Sequence, residues 1–275
     1  MTHWTDGYVD TNGINIHYTR TGGDKPTVVL CHGFSDHGLC WTPVARELEA
    51  DYDVIMVDAR CHGKSDAPEK GNNSTAMADD LAGLIQRLGL DKPVVAGHSM
   101  GAGYTQNAAA RYPHLMRAIV LEDPGWRDFG STQQRANRDA RVRAEFAMTK
   151  EITFDEAFAY YRKQFNPAVS DEMVEFLTHS KRELSFNIFN RDRGIDTNWR
   201  ELLAKIKCPL LLLTGNPDKG ALVTEASYTE AIKIAPQIER VHVDTVGHLI
   251  RYEAFDMFMG ALKPFLDRVY GISVV

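Results

Sequence analysis

The chain has 275 residues, 44% of them hydrophobic and 25% charged, and its 31 basic against 37 acidic side chains give a net charge of −6. At roughly 150 residues per domain that is about 1.8 domains, long enough to bury a core without disulfides or a structural metal. The composition excludes a disordered, collagen-like or disulfide-scaffold chain, and the mildly acidic balance argues against nucleic acid as a partner, since phosphate binding needs a basic face.

In chain order, residues 7–19 hold two short alternating segments around Asn12-Gly13, a hairpin signal. Apolar runs follow at Thr27–Cys31, Asp53–Val57, Pro93–Ala96, Ala118–Leu121, Pro209–Leu213 and Arg240–Val243. Short runs apolar on both faces are the pattern of buried parallel strands. Helical stretches are predicted between them at 41–50, 77–88 with Gly89 as terminator, 100–112, 222–235 and 253–269. Strands alternating with helices predict a doubly wound α/β fold with a mostly parallel sheet. The stretch 125–207 breaks the alternation. It shows no strand, has helical segments such as 140–149 and 154–165, and carries many of the aromatic residues. It is expected to be a helical cap inserted after the sixth strand, with 1–124 and 208–275 forming the core domain.

Cys31, Cys40, Cys61 and Cys208 form no CxxC pair and no zinc-ligand spacing. No apolar run approaches the ~18 residues of a membrane span, and the first residues lack the basic and apolar regions of a secretory signal. The expectation is a cytoplasmic chain with reduced thiols, no metal, no cofactor and no membrane partner, a monomer or homodimer acting on a small molecule.

Gly97-His98-Ser99-Met100-Gly101 matches G-x-S-x-G in the required context, after a strand and before a helix rich in small residues. A sharp turn there lifts Ser99 out of the sheet, next to a helix N-terminus that favours developing negative charge. A hydroxyl nucleophile needs a base. His248, in Val246-Gly-His-Leu249 after the last strand, falls at the same sheet edge, whereas His242 lies inside that strand and is taken as structural. Asp218, after the Pro209–Leu213 run, is the preferred orienting acid and gives the order Ser99, Asp218, His248. Glu122 (or Asp123), at the end of the Ala118–Leu121 strand, is the competitor. The amides of Phe34 and Met100 are the expected oxyanion donors, with Gly33 allowing the turn and His32 bracing it. His32, Gly33, Trp126 and Leu249 are the expected pocket positions. Asp58-Ala-Arg-Cys-His-Gly-Lys-Ser-Asp66 fits no standard metal site and is expected to brace the site.

These motifs, His32-Gly-Phe34, Asp58–Asp66, Gly97–Gly101, Gly215-Asn-Pro-Asp218 and Gly247-His248, together resemble the α/β-hydrolase superfamily over about residues 7–270. The resemblance implies a sheet of about eight strands, one of them antiparallel, a helical cap and no cofactor. Serine at the elbow disfavours epoxide opening and dehalogenation, which use an aspartate there. Lys219-Gly-Ala-Leu-Val-Thr224 departs from the G-x-x-D-x-x-V-P pattern frequent around the acid. The implied activity is carboxylic ester hydrolysis through an acyl-enzyme on Ser99. Lactone or C–C bond hydrolysis with the same triad, and a slow-turnover ligand receptor on this fold, are the alternatives.

Overall fold

The computed structural model describes residues 4–126, 132–190 and 198–272. Asn12 (φ +52°) and Gly13 (φ +75°) form a two-residue turn between β1 (Thr5–Thr11) and β2 (Ile14–Arg20), and positive φ at both central residues matches the twist of a tight hairpin. Six further strands follow: β3 (Thr27–Cys31), β4 (Asp53–Val57), β5 (Val94–His98), β6 (Ala118–Glu122), β7 (Leu210–Gly215) and β8 (Ile238–Val243). The sheet order is β1-β2-β4-β3-β5-β6-β7-β8. β2 is antiparallel to both its neighbours, and every pair from β4 to β8 is parallel.

Alternate side chains of the central strands serve two cores. Val29, Val95, Ile119 and Leu212 face one layer, while Leu30, Ala96, Val120 and Leu213 face the other. Burial on both faces is why these strands appear as unbroken apolar runs in the sequence. The helices are α1 (Thr42–Leu48), α2 (Ser74–Arg87), α3 (Met100–Arg111), then an insert of α4 (Thr132–Glu151), α5 (Phe154–Arg162), α6 (Asp171–Glu183) and α7 (Trp199–Leu203), and finally α8 (Glu225–Ile234), α9 (Ile250–Glu253) and α10 (Phe255–Tyr270). α2 and α3 cover the first core through residues such as Leu81, Leu84 and Ala108. α1 and α10 cover the second through Val44, Leu48, Phe258 and Leu262.

Two helices differ from expectation. The helix predicted at 222–235 starts only at Glu225, because Thr224 caps it and the amides of Leu222 and Val223 bond elsewhere. The helix predicted at 253–269 is α10, starting at Phe255, with the short α9 before it and Ala254 (φ −140°) between them out of helical backbone.

The insert sits on loops that follow β3 and β4, at the carboxyl ends of the strands. The Ser185 amide donates to Cys61 O (2.8 Å), Asn187 Nδ2 to Ala67 O (2.8 Å) and Asn72 Nδ2 to Asn187 O (2.8 Å). On the other flank Gln106 Nε2 donates to Trp199 O at 2.7 Å, and Trp126 stacks on Trp199 at 5.2 Å. A third apolar cluster joins insert to core, with Tyr161, Met173 and Leu177 from one side and Cys40 and Tyr252 from the other.

Asp58, at the head of the Asp58–Asp66 segment, is buried and fully used. It pairs with His17 Nδ1 (2.8 Å) and accepts the amides of Gly38 (2.6 Å) and Lys64 (2.9 Å). Among the described residues no cluster of three or more His, Cys, Asp or Glu could hold a metal, the four cysteines are unpaired, and no helix is long and apolar enough to cross a membrane.

The turn from β5 into α3 passes through Ser99 at φ +52°, ψ −108°, a region disfavoured for a residue with a side chain. Close backbone contacts hold it there. A Cβ on Gly97 would lie 2.5 Å from the Gly101 carbonyl, and one on Gly101 would lie 2.1 Å from Cys31 O. Gly103, one helical step on, has nothing within 4 Å of that position. Gly101→Ala is therefore expected to cost about 1–3 kcal/mol by overpacking. Gly103→Ala should be neutral or stabilise by up to about 1 kcal/mol, since alanine suits a helix interior better. Urea denaturation of the two variants checks the contrast.

Candidate active site

Ser99 is half-buried at the top of the elbow. Its amide donates to Glu122 O at 2.9 Å, which ties the elbow to the end of the neighbouring strand β6. His98, the residue before it, donates from Nε2 to the carbonyl of His248 at 3.1 Å, and the two imidazoles lie 4.7 Å apart. The loop after β8 is thus bonded to the elbow through its backbone, bringing His248 to the serine's edge of the sheet.

The carboxylate that meets His248 is that of Asp123. His248 Nδ1 lies 2.6 Å from Asp123 Oδ2. Asp123 is completely buried, follows the last residue of β6 and has φ +41°. Backbone also holds it: the Leu222 amide donates to Oδ2 (2.7 Å) and the Val223 amide to Oδ1 (3.1 Å). An ionised carboxylate so held accepts the Nδ1 proton and leaves Nε2 of the imidazole free to act as a base. Burial lowers the His248 pKa below the ordinary imidazole value; the Asp123 bond opposes that shift and the neighbouring His98 adds to it.

The structure places the expected acid, Asp218, away from His248. Asp218 lies in a short 3-10 turn, Pro217–Lys219, and is exposed; its own amide donates to Asn216 Oδ1 at 2.8 Å. No hydrogen bond or ion pair joins its carboxylate to His248. The backbones of the two loops meet there instead: the Asn216 amide donates to Val246 O (2.7 Å), and a Cβ on Gly247 would fall 2.1 Å from Lys219 O. Glu122, the other candidate, points to the opposite side of β6 from Asp123. Its carboxylate accepts the Arg251 amide (2.9 Å) and pairs with Arg251 Nη1 (2.7 Å).

The turn after β3 is fixed through its carbonyls. Gly33 O lies 2.7 Å from His32 Nδ1 and accepts the Asp36 amide at 3.2 Å, and Phe34 O lies 2.8 Å from His62 Nε2. In a planar trans peptide, holding Gly33 O aims the Phe34 N–H the opposite way. His32 is fully buried with both nitrogens occupied, Nε2 accepting the Ala59 amide at 3.0 Å. Burial pushes its pKa down to about 3, with a further push from His62, so it is neutral. The amide of Met100 opens α3, where helix N–H groups have no carbonyl within the helix.

Behind the turn lies a buried charge cluster that the sequence did not signal. Arg251 Nη2 reaches Asp36 Oδ2 at 3.2 Å and also donates to the Tyr252 hydroxyl, which in turn donates to Asp36 Oδ2 at 2.9 Å. The guanidinium lies 3.9 Å over the Trp41 ring. Burial alone would raise the Asp36 pKa; His98 and Arg251 outweigh it and hold the group well below the usual carboxylate range.

Of the expected pocket positions, His32 and Trp126 are buried rather than facing open space, because Trp126 stacks on Trp199 and donates from Nε1 to Gln106 Oε1 at 2.7 Å. Gly33 is buried too: a Cβ there would lie 2.7 Å from His98 Nδ1. Leu249 is half-buried and packs on the cluster that joins insert to core. Beside the turn, the half-buried Phe34 ring meets Phe189 of the insert at 5.7 Å. Asp123 was detectable: it follows a strand end facing the elbow, and the loop around Asp218 departs from the common pattern.

If Asp123 orients the base, Asp123→Asn should lower kcat about 10⁴-fold, whereas Asp218→Asn should stay within about twofold of wild type in the same assay. The depressed His248 pKa also fixes the acid limb of the rate profile. The neutral, active imidazole persists as pH falls to 6.5 and is lost below it, so kcat/KM should reach half its plateau below about pH 6.5. A midpoint at or above that value would contradict the buried environment.

Residues 26–255 match the family described as alpha/beta hydrolase fold. Over 272 residues the chain is 27% identical to 2-(acetamidomethylene)succinate hydrolase of Mesorhizobium japonicum, covering 96% of each protein. Over 266 residues it is 28% identical to N-formylmaleamate deformylase of Pseudomonas putida, covering 95% of this chain and 96% of that one. The crystal structure of E-2-(acetamidomethylene)succinate hydrolase superimposes with a TM-score of 0.81 at 25% identity, over 96% of this chain and 100% of the other. With the sheet order, the strained serine turn and a match over most of its length, the chain belongs to the α/β-hydrolase fold family.

Proposed function

We propose that this chain is a serine hydrolase that cleaves a small carboxylic acid derivative, an ester or an N-acyl amide, through an acyl-enzyme on Ser99. The observation that carries the reading is the 2.6 Å bond from His248 to the buried Asp123, beside a serine held at φ +52°. Ser99 Oγ attacks the acyl carbon and its proton passes to His248 Nε2. Asp123 holds the imidazole in the tautomer that can take that proton and stabilises the imidazolium formed. The carbonyl oxygen becomes an oxyanion between the amides of Phe34 and Met100. His248 then gives the proton to the departing alcohol or amine, and the same base activates the water that releases the acid and restores Ser99.

The ester reading follows from the triad alone. The N-acyl reading draws on two full-length relatives, whose names specify an acetamidomethylene and an N-formyl substrate. The test is turnover of a p-nitrophenyl ester series, acetate to decanoate, and of N-formyl and N-acetyl amides of small dicarboxylic acids, by wild type and Ser99→Ala. Turnover is expected for short acyl groups, abolished in Ser99→Ala. Full activity in that variant would overturn the mechanism. A folded wild type that turns over neither series would point instead to a binding protein on this fold.

A further inference from the structure

The turn that carries the Phe34 amide is gripped from outside the core. Its first two carbonyls are held by the core histidines His32 and His62, at Gly33 O and Phe34 O. The third is held by the insert: Ser180 of α6, buried to 1% exposure, places Oγ 2.8 Å from Ser35 O. Its single hydroxyl proton is shared with Leu177 O, 2.9 Å away in its own helix. Two residues further along the turn, His37 Nδ1 lies 3.1 Å from Glu183 Oε2, at the end of the same helix. Asp36, between them, is held by Arg251 and Tyr252. Two turn residues, Ser35 and His37, thus each meet one residue of α6: Ser180 and Glu183.

We infer that α6 is a positioning element of the reaction, with Ser180 and Glu183 holding the turn so that the Phe34 amide meets the developing oxyanion. The inference rests on the reading of Phe34 as an oxyanion donor. Ser180 and Glu183 act through the turn, at the Ser35 carbonyl and the His37 ring, rather than on the reacting atoms. A lost oxyanion donor costs about 10²–10³ in kcat, and a displacement of about 1 Å costs about 10². A loosened turn that keeps its two histidine contacts should therefore cost about tenfold, and in kcat rather than KM, because the oxyanion exists only in the transition state.

The experiment measures kcat and KM for p-nitrophenyl acetate, the rate at which a p-nitrophenyl alkylphosphonate inactivates the enzyme by phosphonylating Ser99, and thermal melting. The variants are Ser180→Ala, Ser180→Thr, Glu183→Gln and Glu172→Gln. Glu172 pairs with Arg46 at 2.8 Å, also between α6 and the core, but off the turn and with both side chains about half exposed. Ser180→Ala and Glu183→Gln should each lower kcat about tenfold with KM within about twofold, and slow phosphonylation by the same factor. Ser180→Thr should restore both rates, and Glu172→Gln should match wild type.

Unchanged kcat in Ser180→Ala and Glu183→Gln would overturn the inference. So would an equal loss in Glu172→Gln, since that would be general loosening of the insert. Glu183 is 42% exposed, so its variant decides the matter if Ser180→Ala does not fold. A wild type without Ser99-dependent turnover would overturn the proposed function and this inference with it. Ser99-dependent turnover indifferent to α6 would overturn this inference alone.

Discussion

A guanidinium that water barely reaches holds this site together. Arg251 and Glu122 are each 1% exposed and Asp36 is 5% exposed. Taking such groups out of water costs several kcal/mol per ion, recovered only when geometry and hydrogen bonding are good. Here two carboxylates, a phenol and the Trp41 ring share the positive charge. The result of this arrangement is registration. Glu122 ends β6, Asp36 belongs to the turn after β3, and Arg251 stands three residues beyond His248, so one cation fixes the relative positions of the three segments that border the candidate site. Removing Arg251 would leave two buried carboxylates without their shared cation.

That cluster also explains what the sequence could and could not show. Strands β3 to β7 were legible because burial on both faces leaves runs of valine, leucine and isoleucine. The elbow was legible because backbone crowding at Gly97 and Gly101 admits only glycine, which marks the chain at fixed spacing. His248 was legible from its place after the last strand. The carboxylate beside His248 was legible only down to a strand end, because Glu122 and Asp123 are adjacent there and loop geometry decides which of them turns toward the imidazole. Arg251 looks in sequence like any helix-surface arginine; only the fold brings Glu122 and Asp36 to it from 129 and 215 residues away.

The insert shows the same limit. Its helical character and approximate limits follow from the absence of strand patterns between β6 and β7. Its bonding to the turn after β3 does not, because Ser180 and Glu183 carry no motif and lie about 145 residues from their partners. Contacts of that span are set by packing, which periodicity does not encode. The insert is therefore joined to the turn after β3 through specific hydrogen bonds as well as through the apolar cluster it shares with the core.

The position of Asp123 has a consequence for how this site can change over evolution. Where the acid stands on the loop after β7, that loop must keep a particular side chain. Here the loop contributes only the amides of Leu222 and Val223 to a carboxylate supplied by β6. Every residue but proline carries an amide, so the constraint on residues 216–223 is one of backbone path rather than of residue identity. Apart from Gly220 (φ +98°) and Asn216, whose side chain accepts the Asp218 amide, positions there can present side chains such as Asp218 to solvent at the rim without touching Asp123. On the proposed reading the orienting carboxylate stands at a fully buried strand end, and the exposed loop beside it is spared that role.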